Sequence, residues 1–258
     1  MITIRSDINN LVKIPGIKKS LVVIGKFDGL HKVHEKLIKI ATKLAVKNNL
    51  QLIVLTFDGS FNFLNHQVDD QIMCPSEKAA IFGKDFALDY YIELVVNENL
   101  QSYRQNQFMD WLKKTLKCQM LVEGSDFTFG TDRQGTVIDL KRYFGADQVY
   151  VLNRTSRSVS STKIRKLLSE GKISQANKLL YVPFKLYLEI NKQPRKKVVF
   201  PNLELNEGYY QGLINGEQVV TFSLTNHTVE LLAFDQIKTK KPEFITLVKY
   251  LGMTSKEN

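Results

Sequence analysis

The stretch LVVIGKFDGLHKVH, residues 21–34, decides the fold. Leu21–Ile24 is a short apolar run of the kind that forms a strand buried on both faces. Gly25 and Gly29 then punctuate a polar loop. A helical pattern follows over Lys32–Lys47, with Val33, Leu37, Ile40, Ala41 and Leu44 on one face. The two glycines let a phosphate approach the main chain, and the free N–H groups at the helix start favour an anion. His31 and His34, three apart, can face the same side of that first turn. Two of the chain's four histidines therefore fall in this one loop.

The alternation continues outward. Leu52–Thr56, Tyr91–Val96, Gln119–Val122 and Gln148–Leu152 read as further strands. Between them lie helical patterns beginning near Ser76 and spanning Gln105–Lys117 (with Phe108, Trp111, Leu112 and Leu116 on one side) and Val137–Phe144. Strands alternating with helices predict an α/β fold, a mostly parallel sheet with helices on both faces. A Rossmann-like order 3-2-1-4-5 sets the first and fourth of these strands side by side, where the winding reverses and ligands bind. The loops after those two strands are the chemically rich ones. The second of them is GSDFTFGTDRQG, residues 124–135. Its glycines predict flexibility, Phe127 and Phe129 offer aromatic faces, and Phe127 is expected to plug the core.

Bulk properties set few limits. The chain has 258 residues, 43% hydrophobic and 24% charged, with a formal net charge of +10. That charge admits a polyanionic small substrate, nucleic acid or an anionic membrane. The lysines are spread rather than clustered, and no basic strip interleaved with aromatics points to nucleic acid. The two cysteines, Cys74 and Cys118, are too few and too far apart for a disulfide framework or a cysteine zinc site, and reduced thiols fit a cytoplasmic protein. The first residues lack the apolar core of a signal peptide, and no apolar run reaches the roughly 20 residues of a membrane span.

Past the fifth strand comes SSTKIR, residues 160–165. Ser160 or Ser161 is a natural N-cap, and Ile164, Leu167 and Leu168 form a buried stripe. Lys163, Arg165 and Lys166 lie in the first turns and Glu170 near the end, opposite to what the helix dipole favours. A helix start that gathers cations predicts a bound anion, and a triphosphate fits. Gly171 reads as a C-cap before a second short helix. After Pro183 the segments LYLEI, VVTFSL and VELLAF alternate in polarity, as in a small antiparallel β domain.

Taken together, these segments resemble the bacterial bifunctional riboflavin kinase/FAD synthetase family. The family's G-x-F-D-G-x-H-x-G-H signature is similar to Gly25, Phe27, Asp28, Gly29, His31 and His34. Its G-x-[DN]-F-x-F-G-x-x-R-x-G resembles Gly124 to Gly135, including Asp126, Phe129 and Arg133. Its S-S-T-[RK]-I-R is matched by Ser160 to Arg165. The resemblance implies a Rossmann-like nucleotidyltransferase domain over residues 1–183 that joins FMN to the AMP of ATP, giving FAD and pyrophosphate. It implies a shortened, degenerate riboflavin-kinase-like domain, β-barrel-like, over 184–258. It assigns ATP binding to Gly25, Phe27, Gly29, His31, His34, Ser160, Ser161, Thr162 and Arg165. Of these, His31, His34, Ser161 and Arg165 are catalytic. It assigns flavin binding to Asp126, Phe129, Arg133 and Phe61 or Phe63, with Mg²⁺ as the accompanying ion. Asp28 is expected to brace its loop through backbone N–H groups rather than to bind metal.

Departures from the family pattern matter as well. Val33 stands for a glycine between the histidines, and Asp58-Gly59-Ser60 for a Pro-His-Pro type segment. The family's kinase domain has a glycine-rich flap and a G-F-P-T-A-N motif. Here no glycine lies between Gly171 and Gly208, and Phe200-Pro201-Asn202-Leu203 reads as that motif without its Thr-Ala. Thr228 falls where the kinase's catalytic Glu is expected, with Glu230 close by. A phosphate cradle without glycines or a metal-binding hydroxyl predicts that kinase activity is lost. Three alternatives stay open: a bifunctional enzyme that retains the kinase, a related nucleotidyltransferase with another phosphate acceptor, and a non-catalytic flavin- or RNA-binding protein.

Overall fold

The structure is a computed structural model that describes residues 1–11, 13–59, 70–153, 159–189, 193, 195–232 and 243–253. Two compact units emerge. The first comprises the described residues among 1–27, 33–67 and 75–158, and the second those among 28–32, 68–74 and 159–258.

The first unit is built on six parallel strands. In chain order its elements are β1 (Ile2–Ser6), β2 (Ser20–Ile24), α1 (Lys32–Lys47), β3 (Gln51–Phe57), α2 (Pro75–Asp85), β4 (Tyr90–Leu94), α3 (Glu98–Ser102), α4 (Gln105–Thr115), β5 (Cys118–Gly124), β6 (Thr128–Phe129), β7 (Gly135–Thr136), α5 (Val137–Phe144) and β8 (Val149–Leu152). The sheet order is β1-β4-β3-β2-β5-β8. The expected 3-2-1-4-5 arrangement is present, with β1 added beside β4 as an edge strand that the sequence reading missed. Ile2–Ser6 is short and only partly apolar, and its pairing with Tyr90–Leu94 is what makes it a strand. Every residue of β2 is buried, as an interior strand of a parallel sheet requires.

Helix α1 keeps its predicted span, but its fully buried residues are Leu37, Ile38, Ala41 and Ala45. Val33, Ile40 and Leu44 are only half buried. The helix is therefore turned toward its smaller residues, a rotation that periodicity alone does not fix. Helix α4 ends at Thr115 rather than Lys117, because Lys117 adopts φ +50° and breaks the helical path.

The loop after β5, residues 124–135, has more regular structure than its glycines predict. It forms the hairpin β6–β7, pairing Thr128 with Thr136 and Phe129 with Gly135. Gly135 packs against the Phe129 ring, where a Cβ would lie 2.7 Å from the ring carbons, and Gly130 holds φ +74° with a Cβ position 2.8 Å from the Gln105 backbone nitrogen. These glycines permit close approach; they do not confer looseness.

The second unit contains α6 (Ser161–Ser169), α7 (Ile173–Asn177) and strands β9 (Lys185–Leu188), β10 (Arg195–Phe200), β11 (Gly208–Ile214), β12 (Gln218–Thr225), β13 (Thr228–Leu231) and β14 (Phe244–Gly252). The strands close into an antiparallel barrel in the order β10-β13-β12-β11-β14-β9. Leu186, Tyr210, Phe222, Val229, Ile245 and Leu247 fill it. Closure leaves no sheet edge. Lys196 is 0% exposed and pairs across the strands with Val229, a buried barrel residue. Gly212 sits where a Cβ would fall 2.4 Å from Ile245.

Candidate active site

In the first unit, β2 and β5 part at their carboxyl ends. Their paired register ends at Val22↔Leu121. Two residues on, the Ile24 N–H donates to Glu123 Oε1 at 2.8 Å. A side chain thus takes the place of the next ladder bond, and a cavity of about 720 Å³ opens at this fork. It lies at the switch point where the sequence reading expects a ligand. Its walls are Ile24–Phe27 after β2, the first turns of α1 through Val33, His34 and Leu37, the segment Leu100–Tyr103 (Ser102 excepted), Phe108, and the Asp126–Arg133 stretch of the hairpin.

Each wall has a local cause. Phe27 adopts φ +50°, rare for a bulky side chain. Its ring lies over Gly25, where a Cβ would be 3.1 Å away. The same ring meets His34 edge-on at 5.2 Å and Phe82 at 5.5 Å. Buried Lys78 of α2 donates to the carbonyls of Lys26 and Phe57 and to Thr56 Oγ1, each at 3.2 Å. One ammonium therefore ties the ends of β2 and β3 beside the cavity. The Glu93 carboxylate stands 3.9 Å from that ammonium. Burial raises the Glu93 carboxyl above its ordinary range, and Lys78 opposes that rise.

The aromatic wall reverses one expectation. Phe129 is 7% exposed and belongs to the core, packed on Phe108, whereas Phe127 is half buried. The two rings stack at 5.7 Å with an interplanar angle of 18°. The pairing of Phe129 with Gly135 draws that side chain inward, so Phe127 presents the more open face. Arg133 holds φ +58° and donates from Nε to Thr128 Oγ1 at 2.9 Å.

Among the candidate residues, Gly25, Phe27, His34, Asp126, Phe129 and Arg133 line this cavity. Phe61 and Phe63 fall outside the described residues. Sequence reasoning missed Glu123, Gln101 and Tyr103. For the latter two a signal existed: Asn97 caps α3 by accepting the Leu100 N–H at 3.0 Å. For Glu123 the signal was an acid within the otherwise apolar strand LVEG.

The other candidates belong to the second unit. Asp28 Oδ1 accepts the N–H groups of Ile72 (2.7 Å) and Met73 (3.2 Å), and Oδ2 accepts Arg165 Nη2 at 2.5 Å. Asp28 does brace backbone N–H groups, but those of the 70–73 segment. Arg165 Nε also donates to the Asp70 carbonyl at 2.8 Å and lies 3.0 Å from its carboxylate. Ser161 Oγ donates to the Asp28 carbonyl at 2.9 Å. Ser160 caps α6, accepting the Lys163 N–H at 3.2 Å, and Thr162 is exposed. The anions that Arg165 meets at the helix start are thus Asp28 and Asp70. Gly29, at φ +71°, brings the chain against Leu180, and His31, 1% exposed, bridges Leu180 through its backbone.

Among the described residues no three His, Cys, Asp or Glu side chains gather as a metal site, and no helix is long and apolar enough to cross a membrane.

Comparison with known proteins places these features in context. Residues 14–166 match the family model described as FAD synthetase. A bifunctional riboflavin kinase/FMN adenylyltransferase of Buchnera aphidicola subsp. Schizaphis graminum is 31% identical over 79% of the chain and 70% of that protein. One of Listeria monocytogenes is 28% identical over 73% of the chain, and the match spans 63% of that protein's length. In three dimensions the chain is similar to a macrolide-efflux protein of Streptococcus pneumoniae, with a TM-score of 0.79 over 97% of this chain and all (100%) of that one. Their identity is 24%, so the likeness speaks to fold.

Proposed function

The chain belongs to the FAD synthetase family, and from that premise we propose that it transfers the adenylyl group of ATP to FMN. A phosphate oxygen of FMN attacks the α-phosphorus of ATP in line. The bond from that phosphorus to the β-bridging oxygen breaks, and pyrophosphate leaves. The nucleophile is already an anion near neutral pH, so catalysis rests on positioning and on stabilising charge. Mg²⁺ accompanying ATP would supply charge neutralisation at the phosphates.

The observation that carries this reading is the cavity at the β2–β5 fork, with a glycine, two stacked phenylalanines and an imidazole on its walls. In our reading His34 donates to the transferring phosphoryl group. Asp126 and Arg133 meet polar edges of the substrates, and the Phe127–Phe129 pair provides the aromatic wall for a ring. His31, Ser160, Ser161, Thr162 and Arg165 are proposed to serve the phosphate chain, with Arg165 also holding Asp28 in place. Cytoplasmic location, and the absence of nucleic-acid or membrane partners, belong to the same proposal.

Riboflavin kinase activity is proposed to be lost. Glu230 is engaged by Arg195 at 3.2 Å, and the strand that would carry a glycine-rich flap is the lysine-rich β10, with Lys196 turned inward. Chromatography of products tests both halves. FMN plus MgATP should give FAD and pyrophosphate, while riboflavin plus MgATP should give neither FMN nor FAD. FAD from neither flavin would overturn the first reading; FMN formed from riboflavin would overturn the second.

A further inference from the structure

Glu123 has no role in the reading above. It is 1% exposed, yet it lines the cavity. Its position is set by the fork. Where β2 and β5 cease to pair, the Ile24 N–H would lack an acceptor, and Glu123 Oε1 supplies one at 2.8 Å. That is the hydrogen bond its carboxyl makes among the described residues, and no cation pairs with it there. Burial pushes the carboxyl well above the usual glutamate range. The Ile24 N–H opposes this rise and the charge of Asp126 adds to it. A neutral carboxylic acid with one oxygen engaged by the backbone still carries an O–H group. The space that the second carboxyl oxygen borders is the cavity flanked by Phe127 and Phe129.

We propose that the Glu123 carboxyl donates a hydrogen bond to a ring acceptor of the heteroaromatic substrate that enters this cavity, and so helps to select it. The acceptor is a ring nitrogen or ring carbonyl, present both in the flavin of FMN and in the adenine of ATP. The inference rests on the cavity being the substrate pocket of the adenylyl transfer proposed above. Glu123 is then a specificity-determining residue: a buried donor rejects a ring that leaves it unpaired.

Calorimetric titration of the full chain with FMN, and separately with a non-hydrolysable ATP analogue, tests this in the wild type, E123Q and E123M. Glutamine keeps the acceptor for Ile24 and places an N–H where the acid has its O–H. E123Q should bind both ligands within about threefold of wild type. E123M should bind one of them about tenfold more weakly, the loss expected for one hydrogen bond, and the arm affected names the ring. Equal affinity of E123M and wild type for both ligands would overturn the proposal, as would E123Q as weak as E123M. Infrared difference spectra give a readout that does not need the methionine variant. A protonated-carboxyl carbonyl band, absent in E123Q, should shift when FMN or the ATP analogue is added, and a band that is missing or unmoved by both counts against the proposal. A wild type that binds neither ligand sinks the adenylyl-transfer reading itself, a different failure from a wild type that binds while E123M is unaffected.

Discussion

Arg165 and Asp28 show how single side chains can tie distant segments of a chain together. Arg165 meets Asp28 at 2.5 Å and Asp70 at 3.0 Å, and its side chain is only 23% exposed. The fork geometry of a guanidinium allows one residue to hold both carboxylates, which the compact ammonium of lysine does not reproduce. Arg165→Ala leaves a buried aspartate without its cation and should cost roughly 1.5–3 kcal/mol in urea unfolding. R165K should recover only part of that. His34 is placed differently, at the cavity wall with its ring against Phe27. If it donates to the transferring phosphoryl group, His34→Ala should lower kcat about 100-fold while FMN binding stays within a few-fold of wild type. A loss of FMN affinity with kcat unchanged would assign His34 to ground-state binding instead.

Elements in this chain are ended by backbone chemistry that a sequence reader can recognise. Helix α6 closes with a Schellman motif: the Lys172 N–H donates to the Leu167 carbonyl at 2.8 Å and the Gly171 N–H to the Leu168 carbonyl at 3.0 Å. Gly171 holds φ +69°, and a Cβ there would lie 2.7 Å from the Tyr250 ring. Gly171→Ala should therefore destabilise by about 1–2 kcal/mol from backbone strain alone, with more from the contact, and the shift would appear as a lower urea midpoint at unchanged slope. The start of α6, capped by Ser160, was equally legible. Less so was β10, whose letters RKKVVF do not alternate. The barrel register puts Lys196 inside and leaves Val199 60% exposed, the reverse of what polarity suggests. A register slip of one residue would exchange those faces, and only the pairing of Lys196 with Val229 fixes which one holds.

On the scale of the whole molecule, stability should depend on pH through the same buried acid that borders the cavity. The Glu123 carboxyl is raised in the folded chain by burial. The folded state therefore keeps a proton that the unfolded state releases above the ordinary glutamate range near pH 4.5. The stability this group contributes is full below that range and falls as pH climbs toward the raised value. Thermal unfolding of the wild type and E123Q between pH 4.5 and 8 should show a difference that shrinks or reverses in favour of E123Q as pH rises. A constant difference across that window would mean that Glu123 does not stay protonated.

The sequence by itself determined the α/β class, the order of five parallel strands, the two loops at the switch point, the capped helix at Ser160 and an antiparallel second unit. Those follow from local periodicity and turn chemistry, which act within a few residues. Only the tertiary structure decided that Ile2–Ser6 is an edge strand, that Phe129 rather than Phe127 enters the core, that Asp28 and Asp70 occupy Arg165, and that Glu123 stands in for a missing ladder bond. Each of those depends on groups brought together from distant parts of the chain, where burial and unmet backbone donors, not local preference, select the partner.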